Sequence, residues 1–163
     1  MNSDCSEIGA TCPAPGGTCG CPGGDDAWGK SCGVSTGLGT LNPGGSIPPV
    51  TGKLPTAGET NWFQITFAGN ANPAYHPLIT ISGDAGIVFA VYATCGGGAI
   101  GCADGVGSGL TAWEELYTAG DPTVYPVSGS HFQPIPAVGT VIIEVYRSSG
   151  VATCNNYTLS ISD

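Results

Sequence analysis

The stretch Thr60-Asn61-Trp62-Phe63-Gln64-Ile65-Thr66-Phe67-Ala68 decides the fold. Successive side chains of an extended chain point to opposite faces. Phe63, Ile65 and Phe67 therefore share one face, and Trp62, Gln64 and Thr66 share the other. That alternation marks a half-buried strand, because a helix would place its apolar residues three and four apart. Tyr157-Thr158-Leu159-Ser160-Ile161-Ser162 repeats the pattern. Residues 87–92 and Val141-Ile142-Ile143 are apolar on both faces, which suits strands covered by a second layer. With further β-type runs at 78–82, 110–118, 123–127 and 140–147, and the 87–92 run extending to 93, the chain offers seven short strands and no convincing helix. Without a helix to cover a single sheet, these predict an all-β protein built as an antiparallel two-sheet β-sandwich.

All seven runs fall in residues 59–163, with nearly all the aromatic side chains. Residues 1–58 carry Cys5, Cys12, Cys19, Cys21 and Cys32 together with 14 glycines and seven prolines, a composition in which few strands survive. The sequence thus divides into a Cys/Gly/Pro-rich N-terminal arm, 1–58, and a sandwich, 59–163. Charged residues make up only 9%, but a hydrophobic fraction of 41% is enough to bury a core. Three cations, Lys30, Lys53 and Arg147, stand against twelve carboxylates, for a net charge of -9. Such a chain cannot neutralise a run of phosphates, which argues against nucleic acid or an anionic membrane as partner. No apolar run approaches the ~20 residues of a transmembrane segment, and no signal-peptide pattern follows Met1.

Eight cysteines without a Cys-x-x-Cys pair lack zinc or iron-sulfur spacing and read as disulfides. Disulfides imply an oxidising compartment, outside the cytoplasm, and so an exported protein, extracellular or at the cell surface. Cys95 and Cys102 flank Gly96-Gly97-Gly98-Ala99-Ile100-Gly101. Closing that loop would remove roughly 2.5 kcal/mol of unfolded-state entropy, which predicts a Cys95–Cys102 bridge. Cys154 is expected to pair with one of Cys5, Cys12, Cys19, Cys21 and Cys32, tying the arm to the sandwich. The remaining four pair among themselves in an order the sequence leaves open, as it does a bond to a second subunit.

The order Trp62-Phe63-x-Ile65-x-Phe67, Ile87-x-Phe89-x-Val91-Tyr92, Cys95 to Cys102 with Ala103-Asp104, Gly139 to Val145 and Asn156 to Ile161 resembles bacterial pre-peptidase C-terminal (PPC) domains over about residues 59–163. The resemblance implies a secreted, jelly-roll-like sandwich that assists folding or secretion, or binds substrate surfaces. Where members of that family often carry an acidic pair after the second cysteine, this chain has Asp104-Gly105. Its stretch 111–130 is also longer than a tight connection would need.

No nucleophile or zinc-protease motif is present, so the chain is not expected to be an enzyme. His76 and His131 read as loop residues. The adjacent Glu114 and Glu115 point to opposite faces of a strand and cannot act as a pair. No cofactor is implied; calcium is the one metal the residues suit, through Asp25, Asp26, Asp84 and Asp104 in turns, with Asp121 nearby in type. None of these forms an Asp-x-Asp-x-Asp-Gly loop, and a turn aspartate commonly caps its own backbone.

Two functions compete. One is a structural or assembly protein, a filament or layer subunit that self-associates by laying part of its arm, 34–41 or 47–54, along a neighbour's sheet edge. The other is a secreted binding module for polysaccharide or matrix protein. Its aromatic candidates are Trp113 and Tyr117 in the long stretch, then Trp28, Trp62 and Tyr125.

Overall fold

In a computed structural model the chain is described at residues 21, 26–68, 75–100, 106–116, 131–134, 138–148 and 153–163. A 3₁₀ turn at Cys32–Val34 leads into nine strands. They are β1 (Thr36–Leu41), β2 (Ser46–Lys53), β3 (Thr60–Ala68), β4 (Leu78–Gly83), β5 (Ile87–Tyr92), β6 (Ala112–Leu116), β7 (His131–Pro134), β8 (Val138–Arg147) and β9 (Asn156–Ser162). One sheet has the order β1-β3-β8-β5 and the other β2-β9-β4-β6-β7. Apart from β6 to β7, every step along the chain crosses from one sheet to the other. The protein is a two-sheet β-sandwich, and among the described residues no helix is long and apolar enough to cross a membrane.

The alternation in β3 does what its pattern dictates. Phe63, Ile65 and Phe67 are buried, while Gln64 is exposed and Trp62 and Thr66 are half-buried. The facing sheet supplies Ile79, Ile81, Trp113, Tyr157, Leu159 and Ile161 to the same core. β5, apolar on both faces, is buried from Ile87 to Val91. The expected all-antiparallel arrangement needs a correction at two edges, where β1 runs parallel to β3 and β7 parallel to β6.

The division at residue 58 is also corrected. β1 and β2 lie in the supposed arm, yet each completes an edge of this chain's own sandwich: β1 on β3, and β2 antiparallel on β9. The segments 34–41 and 47–54, read as strands for a neighbour, are therefore engaged at home. Composition concealed them. Pro48 and Pro49 sit where the β2 register shifts between Ile47 and Val50, on the outermost strand of its sheet among the described residues, where proline is tolerated. β1 shifts register between Gly37 and Thr40, with Gly39 at φ 94°.

Two disulfides fix the N-terminal part. Cys21 is bonded to Cys154, with Cα atoms 5.4 Å apart, and Cys32 to Cys95 at 5.6 Å. The second replaces the expected Cys95–Cys102 bridge. Cys32 lies just before β1 and Cys95 just after β5, the two outermost strands of one sheet, so this bond ties opposite edges together. It closes a far longer loop than the local pair would have, and on the chain-entropy account removes about 4 kcal/mol from the unfolded state. Cys5, Cys12, Cys19 and Cys102 lie outside the described residues, as does the run 123–127.

Between these bonds the chain is anchored by side chains. The Trp28 indole donates to the carbonyl of Thr51 in β2 at 3.0 Å, while its ring lies 5.6 Å from Phe63 of β3, so it joins the two sheets at their edge. Lys30 Nζ reaches Asp26 (2.9 Å), Glu59 (2.7 Å) and Asn61 (2.8 Å). Buried Asn61 donates in turn to the Tyr157 hydroxyl at 2.7 Å. The Tyr157 phenol is held well above its ordinary pKa, first by burial and then by the charges of Asp26 and Glu59, against the opposing bond from Asn61.

The ring of Tyr157 rests against Gly52, where an added Cβ would collide with it. Gly52→Ala is expected to lower stability by about 2 kcal/mol through overpacking. Gly33→Ala, whose methyl would meet open space, is expected to change it by less than about 0.5 kcal/mol. Urea unfolding of the two variants measures the contrast, and equal losses would show that Tyr157 does not stand on Gly52.

Candidate functional site

The antiparallel ladders of β3 and β5 on β8 arrange the outer face of the four-stranded sheet in rows. Thr60, Tyr146 and Val88 lie in one row, Trp62, Glu144 and Ala90 in the next, and Gln64, Ile142 and Tyr92 in the third. Residues opposite one another in such a ladder share a face. Glu144, on the middle strand, is thus flanked in its row by Trp62 and small Ala90, with Tyr92 and Tyr146 in the adjoining rows. The rings of Trp62 and Tyr92, on strands either side of β8, lie 5.6 Å apart at an interplanar angle of 32°. Ala90 and Ile142 on the same face are buried.

Hydrogen bonds hold these side chains in place. The Tyr92 hydroxyl donates to Glu144 Oε2 at 2.6 Å, the Trp62 indole to Thr60 Oγ1 at 2.9 Å, and the amide of Gly109 to the Tyr146 hydroxyl at 2.7 Å. Burial raises the pKa of Tyr92 far above its ordinary value, and the Glu144 carboxylate raises it further, so the phenol remains a donor. Beside them opens a groove of about 250 Å³ lined by Glu59, Thr60, Tyr92, Glu144, Tyr146 and Arg147. A second hollow of about 430 Å³ lies across the 58–60 segment, with Lys30 on its wall.

Both cations near the groove are engaged. Glu59 takes Lys30 on Oε1 and the amide of Thr56 on Oε2. Arg147 Nη2 is 2.7 Å from Asp84 Oδ2, with both side chains about nine-tenths buried, and Nη1 donates to the carbonyl of Ala85. Thr153 also donates to Asp84. Burial alone would raise the Asp84 pKa, but the bonds from Thr153 and Arg147 outweigh it and hold the carboxyl below its ordinary 3.8.

The residues expected to form sites are distributed otherwise. Trp113, first choice for an exposed ligand platform, is fully buried and stacks on Phe67 at 6.2 Å. The reason is register: it pairs with Ile79, and that position faces the core. Tyr117 and Tyr125 lie outside the described residues, as do Asp25, Asp104 and Asp121. The two described members of the calcium set serve the chain's own cations and amides: Asp26 takes Lys30, Asn61 and the amide of Lys53, and Asp84 takes Arg147. Among the described residues no cluster of metal-ligating side chains forms. Glu114 is buried in β6, and His131 falls in β7 opposite Trp113. Trp62 was named for its ring, but Tyr92, Glu144 and Tyr146 were not singled out. Their signal was the outward phase of two strands that are apolar on both faces.

No protein-family model matches the chain, and no curated protein matches it. Among solved structures it is similar to PliG of Aeromonas hydrophila, a periplasmic lysozyme inhibitor of g-type lysozyme. The likeness is 19% identity and a TM-score of 0.35, over 78% of this chain and 98% of that one. It is too distant to assign a function.

The Asp84–Arg147 pair yields a pH signature. A carboxyl whose pKa is lower in the folded than in the unfolded chain stabilises the fold fully above the unfolded value, and that stability disappears as pH falls through the folded value. Asp84→Asn is expected to cost about 3 kcal/mol at neutral pH, as removing one partner of a buried pair does. The gap between wild type and variant should narrow below about pH 4. Denaturant titrations across pH measure it, and a gap that stays constant into strong acid would refute the pairing.

Proposed function

We propose that the protein is a secreted, non-enzymatic binding module that recognises an extracellular macromolecule through the outer face of the β1-β3-β8-β5 sheet. The observation that carries this reading is the pair of neighbouring rings, Trp62 and Tyr92, half-buried over the central strand beside an open groove. Aromatic side chains with one apolar face and one polar tip are the usual anchors of recognition surfaces. Around them Ser35, Gln64, Thr66 and Thr140 supply hydroxyls and an amide: Ser35 bonds to Gln64 at 3.4 Å, and Thr66 to Thr140 at 2.9 Å. A surface role of this kind is also what the resemblance to PPC domains implies. Two disulfides suit an oxidising compartment.

The assembly reading loses its stated support, since β1 and β2 already complete their own sheets. The full chain is therefore expected to scatter light as a monomer of 16.2 kDa. The binding test is retention on a panel of insoluble polysaccharides and immobilised extracellular matrix proteins. Trp62→Ala and Tyr92→Ala should each weaken retention about tenfold, the effect of losing ~1.4 kcal/mol, with melting temperatures measured alongside. Retention that neither substitution changes, or filaments formed by the full chain, would sink the proposal.

A further inference from the structure

The groove beside Trp62 and Tyr92 holds the Glu144 carboxylate, and the two cations near it are engaged by other groups. Lys30 is held by Asp26, Glu59 and Asn61, and Arg147 by Asp84 and the Ala85 carbonyl. The Tyr92 proton is directed at Glu144. Among the described residues that bond is the one hydrogen bond of the Glu144 side chain, so its second oxygen, Oε1, is left for an incoming donor. Counting Asp26, Glu59, Asp84 and Glu144 against Lys30, Lys53 and Arg147, the groove and its surroundings are net negative by one charge. The whole chain carries -9.

A sugar hydroxyl could bond to Glu144 and to the Thr60 and Tyr146 hydroxyls, but it brings no charge to answer the carboxylate. Ammonium and guanidinium groups have donors and no acceptors. They are also the groups attracted to the faces of Trp and Tyr rings, and a carboxylate set among such rings strengthens that attraction. Trp62, Tyr92 and Tyr146 are the three rings whose positions surround Glu144 on this face.

We propose that the Glu144 groove receives a lysine or arginine side chain of a basic protein partner, docked on the outer face of the β1-β3-β8-β5 sheet. The inference rests on the reading of that face as the binding surface. It commits to a protein because a groove of about 250 Å³ admits one side chain, while the adjoining Gln64 and the Thr66–Thr140 pair offer a surface for the partner's backbone and neighbouring residues. The excess of negative charge would steer a basic partner toward it.

The test uses the full chain at about 0.15 M salt, an ionic strength that screens exposed charges beyond ~8 Å. Octalysine is titrated against wild type, Glu144→Gln and Trp62→Ala by isothermal titration calorimetry, a readout that does not depend on the tryptophan removed. Glutamine keeps an acceptor for Tyr92, and unfolding midpoints confirm that the variants remain folded. Saturable binding is expected, weakened about tenfold by Glu144→Gln. A diffuse attraction to the whole chain would lose roughly one-ninth of its charge and fall only slightly. If octalysine binds and neither substitution matters, both this inference and the binding face fall. If neutral dextran oligomers bind in a Trp62-dependent way while Glu144→Gln has no effect, the face stands and the cationic partner is overturned. Glucosamine oligomers bound more tightly than octalysine through Glu144 would likewise overturn a protein partner in favour of a glycan.

Discussion

The ladder between β3 and β8 is the constraint on which the rest depends. Its nine residue pairs run without a break from Thr60–Tyr146 to Ala68–Val138. In one phase it sets Phe63 against Ile143 and Ile65 against Val141 beneath the sheet. In the other it sets Trp62 against Glu144, Gln64 against Ile142 and Thr66 against Thr140 above it. Core and surface are therefore one decision. A slip of β3 by a single residue would exchange its faces, bringing Trp62 into the core and Phe63 and Ile65 into water. The apolar side is what forbids this, so the packing of the interior also determines which groups meet on the outside.

That coupling explains what could be read from the sequence. β3 was legible to its last residue, and β4, β5, β8 and β9 nearly so, because their apolar periods are strong. β1 and β2 were not, because an edge strand is released from the very requirement that makes a strand recognisable. As the outermost strands of their sheets among the described residues, β2 tolerates Pro48 and Pro49, and β1 tolerates Gly37 and Gly39. The Cys95 pairing failed for a related reason. Local spacing points to Cys102 across a short glycine loop, while the actual partner, Cys32, arrives through a strand order that no local pattern contains.

The candidate site was legible only in fragments. Trp62, Tyr92 and Glu144 come from three strands up to 82 positions apart, which become neighbours once β8 lies between β3 and β5. Trp113 misled because a tryptophan in a long, weakly patterned stretch looks like a surface residue. Its pairing with Ile79 faces it inward, where its ring fills the core beside Phe67. The turn aspartates misled in another way. Their type suits calcium, but in a chain with three cations each basic side chain attracts the carboxylates around it, and Asp26 and Asp84 are drawn to Lys30 and Arg147.

The scarcity of cations has a further effect on how such a surface can work. Lys30 is committed where the N-terminal segment meets the sandwich, and Arg147 where β8 meets the turn before β5. Both sit at places the fold needs, and Arg147 cannot be turned outward without leaving Asp84 buried without its charge partner, which costs several kcal/mol. The outer face is thus left with rings, hydroxyls, an amide and the Glu144 carboxylate. Edge-on contact with another chain is the less suited alternative: on β2, Pro48 and Pro49 have no amide proton to give, and the edge of β3 is taken along its length by Gly29 and β1. On the reading proposed above, a face that combines aromatic rings with a carboxylate suits a partner's approach better than the Pro48–Pro49 edge does.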